Sequence, residues 1–216
     1  MGHGMATRQD TKTKILNAAE KLFAERGFSE TSLRLITSKA EVNLASVNYH
    51  FGSKKELIRA VLARYLDLFM PTASRAIGSL DKQNSTLDDV FSCLVQPLLD
   101  MNQLHEQGTS NFLQLLGRGY FESQGHLRWF ITTHYQEPLM KFVHAVQACA
   151  PHIPAAEMFW RLHFTLGTVV FTMASSDALV EIAESDFNEK NDIEAVIRKM
   201  IPYMAAGVSV PVAKIN

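Results

Sequence analysis

Apolar residues recur every three or four positions along nearly the whole chain, while β-branched residues seldom alternate with polar ones, so the pattern predicts an all-α protein. A first helix is expected over about 11–26, with Ile15, Ala19, Leu22 and Phe23 on one face and Gly27 as its stop. Thr31 or Ser32 can cap a short second helix whose Leu33, Ile36 and Ala40 point inward. After a break at Glu41 to Asn43, a third helix of about 44–50 offers Val47 and Phe51 to the same core. Two helices this short do not stand alone, so their apolar faces must pack on the first. Ser53 then caps a longer helix that carries Leu57, Ile58, Val61 and Leu62 and runs at least to Phe69. A looser connection is expected at 71–85, followed by helices over about 86–101, 110–122, 125–149, 155–184 and 192–206. Pro97, Pro138 and Pro202 fall inside these runs, where each removes a backbone donor and should kink or end its helix.

Composition narrows the class. With 216 residues, 47% of them hydrophobic, the chain can bury a real core. No window approaches the roughly 18 uninterrupted apolar residues of a membrane span, and the start lacks the apolar stretch of a secretory signal, so a cytoplasmic protein is expected. The leading Met1-Gly2-His3-Gly4 resembles an expression remnant ahead of a natural start at Met5. Cys93 and Cys149 lie far apart, without a CxxC or Cys/His ladder; they read as buried small hydrophobes and offer no metal site. The net charge of −1 conceals an asymmetry: eleven Lys/Arg against six Asp/Glu up to Arg64, ten against sixteen beyond it. The basic end is thus a candidate polyanion contact. No HExxH, ExxH pair, GxSxG or P-loop occurs, and Gly117-Arg118-Gly119 is only a fragment of a phosphate fingerprint within a helical pattern, which argues against an enzyme and implies no cofactor.

The three short elements suit a helix-turn-helix. A recognition helix enters a major groove about 12 Å wide, so its outer face near the start must be small or polar. Leu44, Ala45, Ser46 and Asn48 meet that demand: Ser46 and Asn48 can bond base edges, and Leu44 and Ala45 can touch a thymine methyl. Ser32, Arg34, Asn43, Tyr49, His50 and Lys54 are placed to grip phosphates around them. Thr31-Ser32, Ile36, Ala40, Val42 and the run Asn48-Tyr49-His50-Phe51-Gly52-Ser53-Lys54 resemble the DNA-binding signature of TetR-family regulators. The resemblance implies a homodimer on palindromic double-stranded DNA, with a larger C-terminal domain that binds a small hydrophobic effector. The domains would be 5–53 for DNA binding and 54–207 for ligand binding and dimerisation, with 208–216 a flexible tail. Two departures stand out: Glu41 occupies a turn position usually held by Gly, where a positive φ would be mildly strained, and Asn48 replaces a usual tyrosine.

Further along, Ser123-Gln124-Gly125-His126-Leu127-Arg128, Phe159-Trp160-Arg161-Leu162-His163-Phe164 and Ala183-Glu184-Ser185-Asp186-Phe187 are similar to the fatty-acid-responsive PsrA-type regulators of bacterial β-oxidation genes. That likeness implies a repressor released by a long-chain fatty acid or acyl-CoA; the alternative is a TetR-like regulator that responds to a different hydrophobic ligand or acts as an activator. Such a site needs an apolar tunnel with a polar anchor. Phe112, Leu116, Tyr120, Trp129, Phe130, Trp160, Phe164 and Met173 are the expected walls, with Arg118, Arg161 or His163 as anchors. Gly117 and Gly119 each cost a helix about 1 kcal/mol relative to Ala, for close helix approach or for a hinge. Leu162, Leu166, Val170 and Leu179, then Ile193, Ile197, Ile201 and Met204, are expected to form the dimer bundle that the family resemblance implies.

Overall fold

The computed structural model describes residues 3–122 and 125–212, and the described residues form helices and connections without a strand. In order they are α1 (His3–Arg26), α2 (Leu33–Ala40), α3 (Leu44–Phe51), α4 (Lys54–Gly78), α5 (Leu87–Ser92), α6 (Val95–Leu99), a 3₁₀ turn (Asp100–Gln103), α7 (Gly108–Phe121), α8 (Gly125–His134), α9 (Gln136–Cys149), α10 (Ala155–Ala174), α11 (Ser176–Phe187) and α12 (Ile193–Ser209). They divide into two compact units, one of residues 1–67 with 114–134 and the other of 68–113 with 135–216. The chain leaves the first unit within α4 and re-enters it within α7.

In the first unit, α1, α2 and α3 pack on one another around Ile15, Ala19, Leu22, Phe23, Ile36, Val47 and Phe51. The start of α4 adds Leu57, Ile58, Val61 and Leu62 to the buried set. The buried Glu20 carboxylate is held by Tyr65 Oη at 2.7 Å and by Arg64 Nη1 at 3.2 Å, which ties α1 to α4. A charge taken out of water is tolerated when it is paired and hydrogen-bonded in this way.

The second unit centres on α12, which packs against α5, α6 and α10, while α5 also meets α9. Phe112 packs against Phe69 with tilted rings whose centroids lie 5.4 Å apart, and Phe91 approaches Phe142 at 6.2 Å. Gly108 is required at the start of α7, since a Cβ there would lie 1.9 Å from the Met101 carbonyl oxygen. Cys93 and Cys149 are half-buried rather than buried; their thiols donate to the carbonyls of Val90 and Ser85. Burial, with the Asp89 charge, pushes both thiols above their ordinary pKa and leaves them weak nucleophiles.

Several helix boundaries differ from expectation for identifiable reasons. The helix α4 passes through Pro71 to Gly78, so the connection shrinks to residues 79–86. Pro71 and Pro202 both lie on exposed faces, where water can meet the carbonyl each leaves free, and neither ends its helix. Pro97 and Pro138 instead sit in the first turns of α6 and α9, where no intrahelical N–H is needed, and the expected 86–101 and 125–149 runs each split just before them. The expected 155–184 helix breaks at Ser175, where the Ser175-Ser176 pair separates α10 from α11 with a bend of 73°. Among the described residues no single helix is long and apolar enough to cross a membrane. The tail expected to fray after Gly207 is anchored at its start: α12 continues to Ser209, Val208 is fully buried, and Arg161 Nη1 donates to the carbonyls of Val208 and Val210. Residues 213–216 lie outside the described residues.

Candidate nucleic-acid interface

The turn between α2 and α3 is closed by backbone bonds from Glu41 N and Val42 N to the carbonyls of Ser38 and Thr37. Glu41 adopts φ 55°, the left-handed conformation expected at this non-glycine position. Ser32 caps α2 by accepting from Leu35 N at 3.2 Å, and Asn43 caps α3 by accepting from Ser46 N at 2.9 Å. Both residues therefore build the helices as well as bordering the face predicted to grip phosphates. The Ser46 hydroxyl also donates to Asn43 Oδ1 at 3.0 Å, which fixes its proton and leaves its lone pairs to accept from a base edge.

Val47 and Phe51 turn α3 inward, and Leu44, Ala45, Asn48 and Tyr49 remain exposed, Tyr49 at 64%. The surface offered to solvent by the start of α3 is consequently small and polar apart from Leu44. His50 is half-buried with its ring edge-on to Tyr49 at 5.2 Å. Arg34 is exposed on α2, and Lys54, at the start of α4, reaches the Ser29 carbonyl at 3.5 Å. The structure thus brings all ten predicted DNA-contact residues onto three adjoining elements, α2, α3 and the start of α4, of one compact unit.

A residue that sequence reasoning missed also belongs to this unit. Glu122, just past the end of α7, accepts from Phe28 N at 2.8 Å and from Ser29 N at 2.6 Å, in the loop joining α1 to α2. Gly27, at φ 86°, begins that loop, and a Cβ on it would stand 2.5 Å from Glu122 Oε1. Burial opposes the Glu122 charge, but bonds from Ser29 and Phe28, together with the Arg118 guanidinium, outweigh it and hold the carboxyl below its ordinary value. The stabilisation is present above the ordinary value of 4.5 and is lost as pH falls through the lowered folded value, so the latch is charged at neutral pH. No sequence signal could have paired residues 94 positions apart.

On α8, Leu127 and Phe130 are buried, and Gly119 of α7 lies against Leu127, with a Cβ position 3.5 Å from Leu127 Cδ1. Trp129 is exposed on α8 and carries the Arg59 guanidinium 5.6 Å from its ring centroid. Burial, then the charges of Arg59 and Lys55, lower the pKa of His126, so the imidazole is neutral at neutral pH.

The predicted effector residues are distributed over both compact units. Leu116, Arg118, Tyr120, Trp129 and Phe130 belong to the first unit, and Phe112, Trp160, Arg161, His163, Phe164 and Met173 to the second. The Tyr120 side chain lies outside the described residues, as do Ser123 and Gln124. Phe112 and Met173 are core residues. Arg161, a predicted anchor, is buried, paired with Glu157 at 2.8 Å and donates to the carbonyls of Val208 and Val210. Arg118 is likewise engaged, at 3.5 Å from the Glu25 carbonyl. Trp160 and Phe164 are 57% and 66% exposed on α10, beside exposed His163, Phe159 and Phe171. A groove of about 310 Å³ runs along α10, α11 and α12 between Thr172, Leu179, Met200 and Tyr203, and none of the predicted effector residues lines it. Of the residues expected in a dimer bundle, Val170, Ile197, Ile201 and Met204 are buried within the chain's own core, because α12 is covered by α5, α6 and α10.

Residues 15–61 match the model for bacterial regulatory proteins of the tetR family, and residues 92–207 match the tetracyclin repressor-like C-terminal domain. The second match alone takes in more than half of the chain. The chain belongs to the TetR family of transcriptional regulators, DNA-binding proteins that are not enzymes. It is 33% identical to the probable HTH-type transcriptional regulator YttP of Bacillus subtilis over 99 residues, which cover 46% of this chain and 47% of that one. Against the HTH-type transcriptional regulator UidR of Escherichia coli the identity is 39% over 54 residues, 25% of this chain and 28% of the relative. The match therefore spans less than half the length of these relatives. A TetR-like transcriptional regulator from Rhodococcus sp. RHA1 shares the fold with a TM-score of 0.55 at 17% identity, over 92% of this chain and 93% of that one. A HlyIIR mutant protein does so with a TM-score of 0.55 at 16% identity, over 94% and 99%.

Proposed function

We propose that this protein is a dimeric transcriptional regulator that reads a palindromic operator through α3. The observation that carries the reading is the outer face of α3, where Ala45, Ser46 and Asn48 offer a low, hydrogen-bonding surface on a helix fixed from behind by Val47 and Phe51. Dimerisation is supported by the exposed aromatic face of α10, since Trp160, Phe164 and Phe171 together form an apolar stripe that a second copy would cover. Two recognition helices would then meet half-sites about 34 to 36 Å apart, or farther on a longer site.

Occupying an operator suits repression. The finer reading is a repressor of fatty-acid degradation genes, released by a long-chain fatty acid or acyl-CoA, and it is supported by the PsrA-like stretches Phe159 to Phe164 and Ala183 to Phe187. Release by 100-fold requires the effector to favour the non-binding conformer by about 2.7 kcal/mol. Selection of duplexes by the purified protein, followed by titration against scrambled DNA at physiological salt, tests DNA reading; equal affinity for both would end it. Mass spectrometry of lipids extracted from the protein, with titration of the DNA complex by fatty acids and acyl-CoAs, tests the effector; no release by either class defeats that part while leaving DNA binding in place.

A further inference from the structure

Three ties converge on the loop between α1 and α2. Thr31 Oγ1 donates to the carbonyls of Leu22 and Gly27 at 3.2 and 2.7 Å, Lys54 Nζ reaches the Ser29 carbonyl, and the Glu122 carboxylate takes the Phe28 and Ser29 amides, one on each oxygen. The loop ends on Ser32, the cap of α2, so its path fixes where α2 begins and how α3 is presented beyond the turn. Of the three ties only Glu122 comes from outside the contiguous helix-turn-helix sequence. Its backbone is held by α7, through a bond from Glu122 N to the Arg118 carbonyl at 3.0 Å. That helix begins at Gly108, and its residues up to Leu113 belong to the other compact unit.

We propose that Glu122 is a positioning residue for DNA binding, the point at which the α7 segment holds the α1–α2 loop and, through it, the α2–α3 pair. This rests on the DNA-binding reading above and deepens it. Gly27 is matched to the same carboxylate twice, by a positive φ that turns the loop toward it and by the absence of a Cβ that would collide with it. Hydrogen bonds at 2.6 and 2.8 Å are lost once the heavy atoms separate beyond about 3.5 Å, so a displacement of α7 by roughly 1 Å releases both amides together. The latch therefore ties the end of α7 to the α1–α2 loop and, through Ser32, to the operator-reading helices.

The test uses the full chain and one selected operator duplex. Glu122→Gln loses one of the two acceptors and the charge, and should weaken operator binding about tenfold while speeding deuterium exchange at the amides of Phe28 and Ser29. Because Glu122 touches no phosphate, the slope of affinity against salt should stay at the wild-type value. Glu122→Asp keeps the charge with a shorter reach and should show a smaller loss; it serves in place of Gln if that variant does not fold. Wild-type affinity in both variants would overturn the proposal, as would a changed salt slope, which would make Glu122 a plain surface charge. A wild-type chain that binds no duplex would instead remove the DNA reading, and the positioning role with it.

Discussion

The outer faces of α3 and α10 are both open to solvent, yet their chemistry is opposite. The α3 face consists of Leu44, Ala45, Ser46 and Asn48, whereas the α10 face carries Phe159, Trp160, Phe164 and Phe171. A major groove presents donors, acceptors and thymine methyls behind two rails of phosphate, and only short polar side chains can approach it without holding the helix away. Large aromatic side chains lose more by facing water and are stabilised by a matching apolar surface. Exposure alone therefore does not say what a surface is for; the size and polarity of what is exposed does. The comparison also explains why Trp160 and Phe164 look like pocket residues in the sequence, since aromatics at helical spacing read the same whether they face a tunnel, a core or a partner.

Charging the aromatic face should produce the largest effect. Phe164→Glu combined with Phe171→Glu is expected to halve the mass seen by sedimentation and to weaken operator binding about 100-fold, through loss of bivalent engagement. An unchanged dimer in that variant would show that the two-fold contact lies elsewhere. On the other face, Asn48→Ala should reduce discrimination at particular base pairs by about 1 to 3 kcal/mol, measured by competition with single-base variants of the operator, and leave the dimer intact. A uniform loss across all sequences would reassign Asn48 from reading to gripping. Lys54→Ala should do what Asn48→Ala does not, weakening every duplex together and reducing the salt slope by about 1. The smallest change concerns the turn that sets α3: Glu41→Gly removes the left-handed strain and should raise thermal stability by about 1 kcal/mol without altering base preference. A drop in stability would mean that the Glu41 side chain contributes more than its backbone costs.

Much of the DNA-binding unit was legible because its information is local. Capping at Ser32 and Ser53, the inward Ile36, Ala40, Val47 and Phe51, and the left-handed Glu41 all follow from residue type and spacing within a few positions. Helix ends farther along were harder. Proline marks a lost donor, but whether Pro71 interrupts a helix depends on which side faces water, and that is a property of packing. Arg161 illustrates the same limit for a site: its charge made it a candidate anchor, and only the return of α12 placed the carbonyls of Val208 and Val210 where they absorb its donors.

By itself the sequence determined an all-helical chain, a helix-turn-helix and the side chains on the outer face of α3, since periodicity, caps and turn residues act over one or two helical turns. Tertiary structure alone decided that residues 114–134 join the DNA-binding unit, that Glu122 grips the Phe28 and Ser29 amides, and that α12 is covered while the aromatics of α10 are not. Those outcomes depend on which surfaces meet after the chain has doubled back over tens of residues, and a linear pattern of apolar and polar positions is the same for every way of pairing them.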